Sequence, residues 1–144
     1  MTPAMAVATL GGVGRLRPAP GSWGSLVVLP AALLGPTACL ALAAAATLAG
    51  WWAVSALPAA DSDPGWIVVD EAAGMLLALA ALPAGAGWFW VGLAFLLFRA
   101  FDILKPWPVS WADGLPGATG VMLDDILAGA MAGAALLALA AWGA

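Results

Sequence analysis

No charged side chain occurs in residues 18–60, 72–98 or 126–144, so well over half of this 144-residue chain carries nothing that must be solvated as an ion. A bilayer core about 30 Å thick takes roughly 20 apolar residues as a helix, with about 17 as a working minimum. Runs of that length suit lipid. Composition agrees, since 8% of residues are charged and mean hydropathy is +1.05, against roughly 25% charged in a soluble domain. The chain reads as one integral membrane domain, residues 1–144, with residues 1–18 as a flexible lead-in.

Residues 120–142 form the clearest span and residues 37–57 the next, with Gly35 and Pro36 marking its start. Residues 66–82 and 86–101 are shorter and are separated by PAGAG, a turn signal. Residues 25–34, interrupted by Pro30, are the shortest element. The expected fold is an all-α polytopic membrane helix bundle of about four long helices plus one short N-terminal membrane helix. If the first two uncharged runs each cross an even number of times, all twelve charges gather on one side. The positive-inside rule then places Arg15, Arg17, Arg99 and Lys105 in the cytoplasm, and the active site with them. Trp88, Trp90 and Trp142 would mark the outer interface and Trp23, Trp66, Trp107 and Trp111 the inner one.

Several classes of chemistry are excluded early. A lone Cys39 rules out an internal disulfide framework and a cysteine-rich metal site, and reads as a small buried apolar residue. There is no histidine, which removes the usual general base and commonest metal ligand. A formal charge of −4 offers no basic patch for nucleic acid. No signal peptide is expected, because residues 1–14 lack a basic start and an apolar core with a cleavage site.

Residues four apart share a helix face, so Asp125 lines up with Gly129 and Gly133, a GxxxG spacing that lets membrane helices approach closely. Asp70 lines up with Gly74 and Ala78 in the same way. The stripe serves either the internal bundle or a homodimer. Intramembrane charges cost about 2.5–3.5 kcal/mol each on insertion scales and face a partner or a wet cavity. An ion pair such as Asp70 with Arg99 would satisfy one of them. Yet six acids (Asp70, Glu71, Asp102, Asp113, Asp124 and Asp125) crowd the helix ends against two cations, Arg99 and Lys105. Mg²⁺ resolves such a surplus, because it takes carboxylate oxygens and fills its remaining positions with water and phosphate; zinc is disfavoured without histidine or cysteine clusters.

Arg99, Asp102 and Lys105 are spaced three apart at a helix end that Pro106 terminates. The two cations are either phosphate-handling groups or snorkelling anchors. In PAPGSWGS, Ser22 and Ser25 sit between glycines at the mouth of the first short helix, where Ser25 is either an N-cap or part of an anion cradle. DSDPG at 61–65 is similar to the nucleophile loop of haloacid dehalogenase phosphatases, but no parallel sheet precedes it, and a loop cap is the simpler reading. Histidine-dependent lipid phosphatases and cysteine phosphatases are excluded by the absent histidine and by Cys39 lying in an apolar helix. The aspartates of DGLPGATGVMLDD stand in a register unlike that of the CDP-alcohol phosphotransferases.

Three segments read together are more specific: APGSWGS at 19–25, IVVDEAAGM at 67–75, and FRAFDILKPWPV at 98–109 followed by GVMLDDILAG at 120–129. In this order and spacing they resemble the phosphatidylglycerophosphatase A family, over roughly residues 16–129. The resemblance implies a Mg²⁺-dependent bacterial inner-membrane enzyme that hydrolyses phosphatidylglycerophosphate to phosphatidylglycerol and phosphate. It implies that Asp70, Glu71, Asp124 and Asp125 form the catalytic and metal-binding acids, with Asp102 a further metal ligand. Arg99, Lys105, Ser22 and Ser25 become the phosphate-binding groups, and Lys105 also counts as catalytic. Asp63 and Asp113 match family positions without an evident role. One departure is Ser22, where the family carries threonine.

Two chemical routes remain open at this point: a carboxylate that activates water beside the metal, or an aspartate that is itself phosphorylated. The rival from another class is a small polytopic cation transporter or channel with an acidic ion site. A scaffold held by structural ion pairs explains the glycine stripe but not the excess acids.

Overall fold

The computed structural model describes residues 1–58 and 64–143, and every regular element among them is helical. In chain order these are α1 (Pro3–Ala8), α2 (Pro20–Leu26), α3 (Pro36–Ser55), α4 (Val69–Leu79), α5 (Trp88–Leu104), α6 (Val109–Asp113) and α7 (Gly117–Trp142). Short 3-10 segments occupy Val13–Arg15 and Leu29–Leu34. Asp61 and Asp63, with most of the DSDPG loop, lie outside the described residues.

The two spans clearest in sequence become α3 and α7, of 20 and 26 residues, and these are the helices long and apolar enough to cross a membrane. Pro36 opens α3, where a missing N–H leaves no bond unmade. α5 has 17 residues and follows a turn at Gly85, whose φ of 72° requires glycine.

α4 is shorter than expected. Its 11 residues span about 16 Å at 1.5 Å per residue, so the bundle has three long helices and a half-length one rather than four long ones. Residues 66–68 stay irregular because the Val68 N–H donates to the Ala8 carbonyl of α1 at 2.8 Å. At the other end Pro83 closes off any continuation. The expected single element at 25–34 is instead two: α2 stops at Leu26 and a 3-10 segment begins at Leu29. A 3-10 segment rises about 2.0 Å per residue against 1.5 Å in an α-helix, which stretches a short element further.

Within residues 1–18, α1 and Gly14 pack on the bundle, whereas Arg15, Leu16, Arg17 and Pro18 are exposed. α1 packs on α3 with Ala4 and Ala8 buried, and the Gly14 backbone lies so close to the Trp66 carbonyl that a Cβ has no room. Thr2 caps α1 by accepting from the Met5 N–H.

α4 packs most extensively on α7 and α3. At the α4 and α7 crossing the two small-residue stripes meet backbone to backbone. A Cβ on Gly129 would land on the Gly74 carbonyl, and one on Gly74 would land on the Asp125 carbonyl and the Phe98 ring. The GxxxG stripe is therefore consumed inside the chain, not left for a second copy. One apolar cluster of the bundle contains Cys39, Met75, Leu79, Phe98 and Leu136, and a second contains Val54, Ile67, Val69, Ala73 and Met122. Cys39 is buried as expected.

Candidate active site

The start of α4, the end of α5 and the third turn of α7 bring acids together. Asp70 and Glu71 occupy the first turn of α4, where the positive end of the helix dipole favours negative charge. Asp125 precedes Gly129 by one turn, and Asp70 precedes Gly74 by one turn, so the glycine crossing draws these two carboxylates towards each other. Asp70, Asp102, Asp124 and Asp125 are 5%, 8%, 4% and 2% exposed.

One oxygen from each of Asp70, Glu71 and Asp125 lies within 4.8 Å of the others, a grouping able to hold a divalent metal ion. Asp70 Oδ1, Glu71 Oε2, Asp125 Oδ2 and Asp124 Oδ1 are buried without a hydrogen-bond partner among the described residues. An unsatisfied buried polar atom costs about 1–3 kcal/mol, and more if charged. A bound cation would satisfy several of them at once. An all-oxygen donor set fits a hard cation, not a thiophilic one.

Beside this triad lies a second network centred on Lys105. Its Nζ donates to Asp124 Oδ2 at 3.0 Å and stands 3.8 Å from Asp102 Oδ1 and 3.6 Å from Asp113 Oδ1. Lys105 adopts a left-handed φ of 50° at the end of α5. Pro106 disfavours helical geometry there, and the resulting turn brings the ammonium to α7. Burial acts to lower the Lys105 pKa, but the hydrogen bond and charge of Asp124, aided by Asp102 and Asp113, outweigh it and raise the value, so Lys105 stays an ammonium. Arg99 pairs with Asp102, three residues further along α5, rather than with Asp70.

The five acids read from the sequence as sharing a metal differ in their partners. Asp70, Glu71 and Asp125 face one another, whereas Asp102 and Asp124 rest on Arg99 and Lys105. Asp113 joins the second network through α6. Ser22 is half-buried at the α2 end. Ser25 is fully buried, and its hydroxyl donates to the Gly21 carbonyl at 3.0 Å. It neither caps a helix nor turns a free hydroxyl towards the acids. A residue the sequence reading missed is Gly21: a Cβ there would stand 2.8 Å from Glu71 Oε1 and 3.2 Å from Arg99 Nη1. Its glycine in the PGS tripeptide was the available signal.

The family profile described as phosphatidylglycerophosphatase A matches residues 6–140. A phosphatidylglycerophosphatase A of Haemophilus influenzae is 40% identical over 139 residues, covering 91% of this chain and 85% of its own. A Bacteroides thetaiotaomicron protein with the provisional name phosphatidylinositol-3-phosphatase is 42% identical over 86% of this chain and 84% of its own. The phosphatidylglycerophosphatase A of Escherichia coli is 48% identical over 68 residues, covering 46% of this chain and 39% of its own. No solved structure matches the chain. With the profile spanning nearly the whole sequence and a relative of this identity aligned over most of both chains, the chain belongs to the phosphatidylglycerophosphatase A family.

Proposed function

We propose that this protein, acting as one domain, is a Mg²⁺-dependent enzyme that hydrolyses the terminal phosphomonoester of phosphatidylglycerophosphate, releasing phosphatidylglycerol and phosphate. Family membership supports the substrate. The observation that carries the chemistry is the convergence of Asp70, Glu71 and Asp125, with their unpartnered oxygens, at the α4 and α7 crossing. Asp70, Glu71 and Asp125 would hold the metal.

When bound, Mg²⁺ supplies charge neutralisation and polarises the phosphoryl oxygens. Lys105, held by Asp124, Asp113 and Asp102, offers a fixed ammonium to the phosphoryl group, and Arg99 offers a guanidinium whose Nε is unpartnered. Water attacks phosphorus and the bond from phosphorus to the glycerol oxygen breaks. With no histidine in the chain, a carboxylate of this cluster takes the proton from water, and a proton passes to the departing glycerol oxygen so that phosphatidylglycerol leaves as the neutral alcohol. Direct hydrolysis leaves no phosphorylated aspartate.

The bilayer of the bacterial inner membrane, with the acids at its cytoplasmic face, is the setting this reading favours. In the most apolar stretches of α3 and α7 only 28% and 33% of residues are buried within the chain, and Leu40, Leu48, Trp52 and Leu137 point outward. Lipid covers such surface. A transporter reading requires acids spread through the membrane depth, and residues 72–98 and 126–144 contain none.

Phosphate release from phosphatidylglycerophosphate by the purified protein in detergent tests this directly. Release should require Mg²⁺, stop with chelator and resume on re-addition, with no label retained on the protein. No release under any metal condition would overturn the assignment. Gly21→Ala offers a finer test, because the added Cβ meets the flexible ends of Glu71 and Arg99 rather than backbone. Turnover should fall on the order of 10–100-fold through misplacement of these groups, while the thermal midpoint in detergent stays close to that of the parent.

A further inference from the structure

Four side chains in this protein carry a positive charge, and two of them, Arg99 and Lys105, are already engaged by acids. The other two, Arg15 and Arg17, line a cavity of about 550 Å³ together with Met5, Gly14, Pro20 and Trp66. Its wall is joined to the acidic site through the chain. Pro20 immediately precedes Gly21, which stands against Glu71 and Arg99, and the same wall continues through Trp66, on which Gly14 is packed. Both arginines are exposed, and neither forms an ion pair among the described residues.

The acidic centre has six carboxylates against two cations, so even with a divalent ion bound it repels a second anion. The substrate proposed above nevertheless carries two phosphates: the terminal monoester that is cut, and a phosphodiester one glycerol unit away that is not. A diester held near the carboxylates needs a separate source of positive charge. Guanidinium groups suit it, because their forked donors match phosphate oxygens.

We propose that the Arg15 and Arg17 cavity is a phosphodiester subsite, which holds the uncut diester of the lipid while the monoester lies at the acids. This rests on the phosphatidylglycerophosphatase reading, and it makes the two arginines positioning residues for substrate, not topological anchors alone.

The test uses the full chain carrying Arg15→Ala with Arg17→Ala, in mixed micelles of neutral detergent. KM for phosphatidylglycerophosphate should rise about tenfold or more, the size expected from losing a charge-assisted contact of about 1.4 kcal/mol, with kcat changed by less than about twofold. Inhibition by phosphatidylglycerol, which keeps the diester and lacks the monoester, should weaken by a similar factor. The paired substitution to lysine should recover most of both losses.

Adding phosphatidylserine to the micelles distinguishes the source of the diester. If the substrate's own diester is held, the KM defect is full-sized without added lipid. A defect that appears only when phosphatidylserine is present assigns the subsite to a neighbouring lipid instead. Unchanged KM and unchanged phosphatidylglycerol inhibition, or a loss confined to kcat, would overturn the subsite. Should the parent protein release no phosphate at all, the failure belongs to the enzymatic reading. The subsite is then judged by direct binding of radiolabelled phosphatidylglycerol to the protein in neutral-detergent micelles: weaker binding by the alanine variant supports it, and equal binding overturns it.

Discussion

Asp125→Asn is expected to lower phosphate release by roughly 10²–10³-fold, the scale of losing one electrostatic stabiliser at a reacting centre, while leaving the fold intact. Asparagine keeps the shape of the side chain and removes a charge. Asp125 is almost wholly buried, and a carboxylate oxygen of each of Asp70 and Glu71 lies within 4.8 Å of one of its own. In the metal-free protein these carboxylates repel one another in a medium that solvates them poorly, so deleting one charge relieves strain rather than adding it. The thermal midpoint of the metal-free variant should match or exceed that of the parent. Added Mg²⁺ should raise the parent's midpoint and move the variant's far less, because a ligand stabilises only the protein that binds it. Near-normal turnover by Asp125→Asn would place the chemistry elsewhere.

Gly129→Val should be the most damaging substitution at a residue with no chemistry of its own. Its side chain would have to enter space held by the Gly74 backbone, which cannot rotate away as a side chain does. Helices α4 and α7 must then separate, at a cost of about 1–3 kcal/mol or more. Because Asp70 and Asp125 each sit one turn from this crossing, separation also pulls the acidic triad apart. Stability and activity should fall together, read as the thermal midpoint in detergent and as phosphate release. Gly92→Ala is the control: a Cβ there meets nothing within 4 Å, and alanine favours the helix by up to about 1 kcal/mol, so both readouts should hold or improve slightly. Equal behaviour of the two variants would mean that the crossing does not set the site.

Much of this architecture is legible from residues alone, for physical reasons that can be named. α3 and α7 are evident because an uncharged apolar run of span length has few alternatives. The small-residue stripes at Gly74 and Gly129 are evident from their four-residue spacing, but that spacing leaves open whether they meet each other, as they do here, or a second copy. The end of α5 follows from the restriction that Pro106 imposes on Lys105. α1 and α6 were not legible, since pieces of six and five residues are too short to show a period and too short to be stable alone. They exist because Ala4, Ala8, Val109 and Ala112 find buried places in the bundle. α4 looked longer than it is because the hydropathy of residues 66–68 does not reveal that the Val68 N–H is claimed by Ala8.

At the site, sequence spacing identified the acids but not how they divide. Asp102 meets Arg99 and Lys105 through the three-residue spacing at the end of α5, but Asp124 is drawn to Lys105 by tertiary geometry that no spacing encodes, since the two are 19 residues apart. The bond made by Ser25 was hidden for the converse reason. A hydroxyl between glycines looks available, yet its own helix offers the Gly21 carbonyl four residues back.

The central claim is that Asp70, Glu71 and Asp125, distant in sequence, make one metal pocket. Binding of Mn²⁺ to the purified protein in detergent, followed by loss of the free-ion electron paramagnetic resonance signal, tests it without relying on turnover, because Mn²⁺ accepts the same oxygen donors as Mg²⁺. The parent should take up Mn²⁺ that excess Mg²⁺ displaces, and Asp70→Asn and Asp125→Asn should each weaken uptake by on the order of 100-fold. Uptake by both variants as tight as that of the parent would contradict a shared pocket.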